Sequence, residues 1–296
     1  MEKILIIGSD GQVGQALIKV AHNYGMPVSA LNRNSLDITN PKEINEVFAK
    51  SNPSIVINAA AYTKVDQAET EKDLVYEINA FGSKNLALAC EEFGAVLIHI
   101  STDYVFSGNK LTSYNENDIV DPTSIYGKSK LMGEEFVRSI CIRHIILRTS
   151  WVFSHSRNNF VSTMLRLAKM HDEIKVVSDQ IGSPTSANGI SETIFKITKE
   201  ILDDNYRFTS WGTYHYSGFP YVSWHQFALK IFESAKLNKT MIVHPIKSNQ
   251  YSTNASRPLN SCLDCKLIKK TFKIEPDDWQ KELLSITDNL EDFERT

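Results

Sequence analysis

The sequence predicts an α/β fold, a doubly wound parallel sheet followed by a smaller C-terminal lobe. Three observations carry that prediction. Short apolar runs of strand length alternate with segments of helical spacing through the first half of the chain. The first of those runs ends in a glycine-rich turn that leads straight into a helix-spaced segment. Past Trp151 the alternation loses its regularity, as expected where a second lobe begins.

Lys3-Ile4-Leu5-Ile6-Ile7 is a β-branched apolar run of the kind that is buried on both faces in a parallel sheet. Gly8-Ser9-Asp10-Gly11-Gln12-Val13-Gly14 follows, and Gln15 to Ala21 then has helical spacing. Strand, glycine turn and helix in this order are the dinucleotide-binding context of a Rossmann-type sheet. Gly8 permits the tight turn, Gly11 lets the backbone approach a pyrophosphate, and Gly14 allows the helix to pack closely on the strand. The helix N-terminus then faces the phosphates. The spacing is GxxGxxG rather than GxGxxG, which points to the short-chain dehydrogenase variants of this fold.

Pro27 to Leu31 reads as the second strand and ends at Asn32-Arg33, where an NAD-specific protein would place an acid for the ribose 2′-hydroxyl. Asn32 followed by a cation that can meet a 2′-phosphate favours NADPH over NADH. Asp37, in Leu36-Asp37-Ile38-Thr39, is placed to reach the adenine side. Pro53 to Asn58 is a further buried strand running into Ala59-Ala60-Ala61-Tyr62, small residues against which a flat cofactor can lie. Asn79 to Cys90 reads as a helix, Ala95 to Ile100 as a strand and Ile140 to Leu147 as another. Beyond Trp151, helices are expected over 159–170, 191–202 and 224–235, with strands at 175–177 and 212–218 and a turn-rich segment at 179–185. The expected division is a cofactor-binding domain over 1–150, receiving elements from about 186–220, and a mainly substrate-binding lobe over 151–296.

Composition narrows the function. With 42% apolar and 23% charged residues and a net charge of −3, nothing asks for a nucleic-acid or membrane-surface partner. No apolar run approaches the roughly 20 residues of a membrane helix. Met1-Glu2-Lys3 runs directly into the first strand without a secretory pattern, so a cytoplasmic location is expected. Of the four cysteines, Cys90 and Cys141 stand in apolar contexts, while Cys262 and Cys265 have CxxC spacing with no second pair and read as incidental thiols near a surface turn. The eight histidines show no metal-ligand spacing, and His215 and His225 read as structural, so no metal ligand is assigned from the residues.

The chemistry centres on Ser101-Thr102-Asp103-Tyr104-Val105-Phe106, which the apolar run ending in His99-Ile100 delivers to a strand end. Tyr126 and Lys130 follow, four apart at the start of an expected helix and so on one face of it. When hydride reaches a carbonyl carbon, the oxygen becomes an alkoxide and needs a proton. A tyrosine with a reference pKa of about 10 is a reluctant donor, and a neighbouring ammonium lowers that barrier by favouring phenolate. Thr102 is placed to hold the same oxygen, and Lys130 to orient the nicotinamide ribose.

With these motifs assembled, the chain resembles the dTDP-4-dehydrorhamnose reductase family, extended short-chain dehydrogenase/reductases of rhamnose biosynthesis. The resemblance spans nearly the whole length. It includes the glycine turn, Asn58 to Thr63 with Val65-Asp66, Ser101 to Phe106, Tyr126 to Leu131 with Gly133-Glu134, and Arg148 to Phe153. It continues through Asn158 to Phe160, Asp179 to Thr185, Gly212 to His215 and Arg257 to Ser261. It implies reduction of the 4-keto group of dTDP-4-dehydro-L-rhamnose by NAD(P)H. By motif match, Thr102, Tyr126 and Lys130 take the catalytic places, and Asp103 and Tyr104 lie beside the sugar. Trp151 would pack on the sugar, and Arg257 would meet the nucleotide diphosphate. Gly11 to Val13, Asp37-Ile38 and Ala60 to Tyr62 match the cofactor stretches, whereas Asn32 departs from the family's usual Asp. Some members are magnesium-linked dimers, so Mg2+ and a homodimer enter through the resemblance alone. Two alternatives stay open: a 4-ketoreductase of another nucleotide-linked deoxysugar, and a non-catalytic regulatory relative, against which the intact Thr102, Tyr126 and Lys130 argue.

Overall fold

The structure, a computed structural model, describes residues 4–155, 159–203, 208–237 and 240–288. Lys3 of the first run, Asn158 of the lobe motif and the acidic residues Glu291, Asp292 and Glu294 lie outside the described residues. The first half runs β1 (Ile4–Ile7), α1 (Gln12–Asn23), β2 (Val28–Leu31), α2 (Pro41–Ser51), β3 (Ile55–Asn58), the short helices α3 (Val65–Ala68) and α4 (Lys72–Tyr76), α5 (Gly82–Phe93), β4 (Val96–Thr102), α6 (Ile125–Ile140) and β5 (His144–Thr149). The second half runs β6 (Val152–Phe153), α7 (Phe160–Met170), β7 (Glu173–Val177), β8 (Ile181–Gly182), β9 (Thr185–Ser186), α8 (Ala187–Asp203) and β10 (Gly212–His215). It closes with β11 (Val222–Ser223), α9 (Trp224–Ser234), β12 (Ile242–Ile246), α10 (Lys266–Phe272) and α11 (Trp279–Thr287).

The expected parallel sheet is present, with six strands in the order β10-β5-β4-β3-β1-β2 and every neighbouring pair parallel. Successive side chains on a strand point to opposite faces. Ile4, Ile6, Ile55, Ile57, Ile98 and Ile145 therefore share one core with Leu17 of α1 and Ile190 and Ile194 of α8. Leu5, Ile7, Val56, Leu97 and Ile146 share the other with Phe48 of α2, Leu86 of α5 and Val137 of α6. Helices on both faces explain why these strands are continuous apolar runs. The strand order diverges on either side of β1, with β2 to one side and β3 to the other, so a crevice opens at the strand ends there.

After the lobe begins, α8 returns to pack on α1 and β10 pairs with β5, Gly212 opposite Ile145. A third core joins Phe153, Met164, Phe227, Trp279 and Leu283, from β6, α7, α9 and α11. The small pairs β12–β7, β11–β8 and β6–β9 complete this part.

Several boundaries differ from expectation for physical reasons. The helix expected from Asn79 begins as a π-turn over Glu77–Phe81, which buries Asn79 and continues into α5. The strand expected from Ile140 starts at His144, because α6 extends to Ile140 and Ile142 is exposed. The strand through Gly218 stops at His215. Cys262 and Cys265 are buried rather than near a surface turn: Leu263 between them packs on Phe106 and Tyr114, and Cys265 Sγ accepts from the Ser217 N–H.

Candidate active site

Gly8 sits at φ +82 at the end of β1, and a Cβ there would lie 2.5 Å from the Ala60 nitrogen. Only glycine allows this turn against the end of β3. The Gly8 and Ser9 N–H groups both donate to the Leu31 carbonyl, at 2.9 and 3.1 Å, tying the turn to β2. Helix α1 begins after Gly11 without a side-chain cap among the described residues, so its first N–H groups face the crevice, a ready anion site. A cleft of about 460 Å³ opens here. Its lining brings together Gly8, Gly11, Asn32, Arg33, Asp37, Ile38, Ala60, Ala61 and Tyr62.

Gln12, Val13 and Gly14 take other places. Gly14 is buried beneath the turn and Val13 packs against the core of the sheet. Gln12 Oε1 accepts from Ser154 Oγ at 2.9 Å and Asn159 Nδ2 at 3.0 Å, joining the turn to the start of α7. Asn32 Oδ1 is taken up by the N–H groups of Asn34 and Ser35, both at 3.1 Å, leaving exposed Arg33 as the charged group beside β2. The Thr39 N–H, together with its hydroxyl, holds the Asp37 carboxyl below its ordinary range.

The three catalytic candidates converge at the end of β4. Ser124 caps α6 by accepting from the Gly127 N–H at 3.1 Å, which puts Tyr126 in the first turn and Lys130 one turn on. A Cβ on Gly127 would meet the Tyr104 carbonyl at 2.2 Å, so α6 lies directly on the turn that follows Thr102. The Thr102 hydroxyl lies within hydrogen-bonding reach of the Tyr126 phenol, and the Tyr104 ring meets Tyr126 edge-on at 5.5 Å. Thr102 Oγ1 also donates to Asp103 Oδ1 at 2.9 Å and accepts from the Tyr104 N–H at 3.2 Å. Lys130 is 2% exposed and donates to the Ile100 carbonyl at 2.8 Å.

Burial pushes the Tyr126 phenol up to about 12, with the Asp103 charge adding and the Thr102 hydroxyl opposing. The phenol of the chain by itself therefore stands higher than an adjacent ammonium would leave it, since Lys130 reaches the Ile100 carbonyl instead. Burial also brings Lys130 down to about 8, against the pull of Glu134. Burial likewise raises Asp103 to about 6, offset in part by the hydroxyls of Ser261 and Thr102.

On the lobe side, Trp151 is held at φ +45 and stacks on Trp224 at 3.5 Å. Beside that stack lies a second hollow of about 580 Å³, lined by Phe160, Gln180, Trp224, Tyr251 and Arg257 among others. Arg257 Nη2 donates to Asp66 Oδ2 at 2.6 Å, so part of its charge is already engaged, while its buried Nε has no hydrogen-bond partner among the described residues. No group of three or more His, Cys, Asp or Glu side chains that could hold a metal ion occurs among the described residues, so the Mg2+ of the resemblance finds no donor set there. No helix among the described residues is long and apolar enough to cross a membrane.

Sequence reasoning missed several residues that build the site. Asn79 Oδ1 accepts from the Tyr62 N–H at 2.8 Å and its Nδ2 donates to the Tyr62 carbonyl and Ser129 Oγ, bracing the Ala60–Tyr62 wall of the cleft against α6. Glu134, quoted only as part of a motif, anchors α6 to Arg148 of β5 at 2.7 Å. Trp224 and Tyr251 line the second hollow. Asn79 and Glu134 carried one usable signal, a polar residue on the apolar face of an amphipathic helix.

Residues 1–292 match the family model described as RmlD substrate binding domain. A dTDP-4-dehydrorhamnose reductase from Aggregatibacter actinomycetemcomitans is 43% identical over 291 residues, covering 97% of this chain and 98% of that protein. The crystal structure of a dTDP-4-dehydrorhamnose reductase from Clostridium acetobutylicum superposes with a TM-score of 0.91 at 38% identity, covering 98% of this chain and 99% of that one. That of a dTDP-4-dehydrorhamnose reductase from Bacillus anthracis in complex with NADP has a TM-score of 0.90 at 38% identity, covering 97% and 99%.

Proposed function

The chain belongs to the RmlD substrate binding domain family, and on that premise we propose that it reduces the 4-keto group of dTDP-4-dehydro-L-rhamnose to give dTDP-L-rhamnose, using NADPH. One observation carries the reading: Thr102, the last residue of β4, lies within hydrogen-bonding reach of the Tyr126 phenol, and Lys130, one turn further along α6, donates to the Ile100 carbonyl of the same strand.

Bound in the cleft, NADPH would supply the hydride. The residues of the chain handle the oxygen. Tyr126 gives its phenolic proton to the carbonyl oxygen as negative charge develops there, a contribution of about 10²–10⁴ in rate. Thr102 holds that oxygen in line, turning its single hydroxyl proton from Asp103 towards the developing charge. The phenolate left behind is stabilised by the Lys130 ammonium one helical turn away, which also orients the nicotinamide ribose. Asp103 and Tyr104 face the sugar, with Trp151 packing on it. The second hollow, aromatic on one wall and carrying Arg257, suits a nucleotide diphosphate. We assign cofactor binding to 1–150 together with α8 and β10, and substrate binding mainly to the rest of 151–296, supported by the separate core of that part.

NADPH is preferred because the cleft presents exposed Arg33 beside β2, where an acid would repel a 2′-phosphate. The complex of the Bacillus anthracis relative with NADP agrees with that preference. The test is cofactor oxidation with a panel of nucleotide-linked 4-ketosugars, with NADPH and NADH side by side. The expected result is turnover with the dTDP-linked substrate and a lower KM for NADPH. Arg33→Ala should raise that KM roughly tenfold and leave the KM for NADH nearly unchanged. Tight NADPH binding with no turnover across the panel would overturn the reading.

A further inference from the structure

Behind the reacting groups, a chain of hydrogen bonds runs from the cofactor cleft to Lys130. The Ala60 N–H donates to Asn58 Oδ1 at 3.1 Å. That contact decides which way the Asn58 amide faces, so its Nδ2 is the atom that meets His99 Nδ1, also at 3.1 Å. An amide nitrogen only donates, so His99 Nδ1 must accept. His99 is fully buried; that burial, with the charges of Lys130 and Arg138 adding to it, holds the imidazole well below its ordinary range and hence neutral. A neutral imidazole carries one proton, and with Nδ1 accepting, the proton is on Nε2. Nε2 lies 3.4 Å from Lys130 Nζ.

An N–H is thus aimed at the lysine nitrogen. Against an ammonium, which has no lone pair, the contact sets donor against donor; against a neutral amine it is a hydrogen bond. The amine can donate to the Ile100 carbonyl and accept from His99 at once, so it satisfies both contacts where the ammonium satisfies one. We propose that His99, held by Asn58 as the Nε2–H tautomer, is a positioning residue that loosens the extra proton of Lys130 and so sets the pH above which reduction fails. This rests on the roles given above to Tyr126 and Lys130.

The other charges around Lys130 do not do this job. Glu134, one turn further along α6, favours the ammonium, and its charge is shared with Arg148 of β5 and Arg138 of α6. Tyr126, one turn before, is neutral, and Asp103 acts on Tyr126 rather than on the amine. From β4, His99 is the ring that meets the amine. Burial moves Lys130 in the same direction, down to about 8, which puts its titration just above neutrality.

Two measurements test the proposal. Histidine side-chain nitrogen NMR on the wild-type protein reads the tautomer, with the His99 resonances assigned by their loss in His99→Gln. A pyrrole-like Nε2 and a pyridine-like Nδ1, unchanged across neutral pH, are expected; a protonated Nδ1 overturns the proposal. His99→Gln replaces the opposing N–H with a side chain whose carbonyl can accept from Lys130. The ammonium gains, so the basic limb of kcat/KM for ketosugar reduction should move up by about one pH unit. A limb that stays in place while kcat falls is what a purely structural histidine would produce, and it overturns the proposal. Full turnover in Tyr126→Phe would instead sink the reading of the reaction while leaving the tautomer measurable, so the two failures are told apart.

Discussion

Glu134 accepts from Ser101 Oγ at 2.6 Å, from Arg148 Nε and Nη2 at 2.9 and 2.7 Å, and from Arg138 Nη1 at 2.9 Å. Its side chain is fully buried. Burial raises its carboxyl, but Arg148 and Ser101 outweigh that and leave it below its ordinary value of 4.5. A carboxyl depressed in the fold stabilises it fully above the unfolded value, and that contribution is lost as pH falls through the folded value. Glu134→Gln should therefore cost about 3–5 kcal/mol in denaturant unfolding at neutral pH, because Arg148 is left buried and uncompensated. The loss should shrink in acid, as pH falls through the depressed folded value and the wild-type carboxyl is itself protonated. At this scale the placement of Thr102 at a strand end and of Tyr126 and Lys130 one turn apart on a helix was legible, since both are local patterns. His99 and Asn58 were not, because their meaning lies in a contact 41 residues apart and in the direction of one amide. Arg257 was read for its charge and its motif, and its pairing with Asp66 across 191 residues was invisible.

Helix α6 is the element on which the site depends. Its face towards β4 and the turn over Asp103–Val105 carries Gly127, Lys130 and Glu134, and Gly133 fits against the Asn79 carbonyl, where a Cβ would come within 2.4 Å. Gly127→Ala would force a methyl to 2.2 Å from the Tyr104 carbonyl, so the helix must move off the turn. The expected cost is about 1–3 kcal/mol in stability, with kcat falling more than NADPH affinity, because Tyr126 shifts while the glycine-turn cleft stays. Thermal unfolding and steady-state kinetics measure the two effects. The sheet strands were legible because burial on both faces makes each one a continuous apolar run. Helix α2 was not assigned, although Asn40 caps it and Pro41 opens it. The two-residue strands β6, β8, β9 and β11 are too short to show any period.

Over the whole molecule, one cleft opens at the glycine turn and the ends of β1 and β3, and a second hollow opens beside Trp224 and Arg257. Gln12 ties the glycine turn to Asn159 at the head of α7, whose Phe160 lines the second hollow, so side-chain contacts join the two parts. The change of rhythm past Trp151 was legible in the sequence. So was the return of elements from about 186–220 to the first domain; that β10 joins at the β5 edge was not, because it depends on pairing Gly212 with Ile145, far earlier in the chain. On the function proposed above, this arrangement delivers a proton from Tyr126 to a sugar ketone. The most direct measurement is NADPH oxidation by Tyr126→Phe with dTDP-4-dehydro-L-rhamnose, beside an NADPH titration of the same variant. The expected result is a rate at least about a hundredfold below wild type with cofactor affinity nearly intact; turnover at the wild-type rate would contradict it.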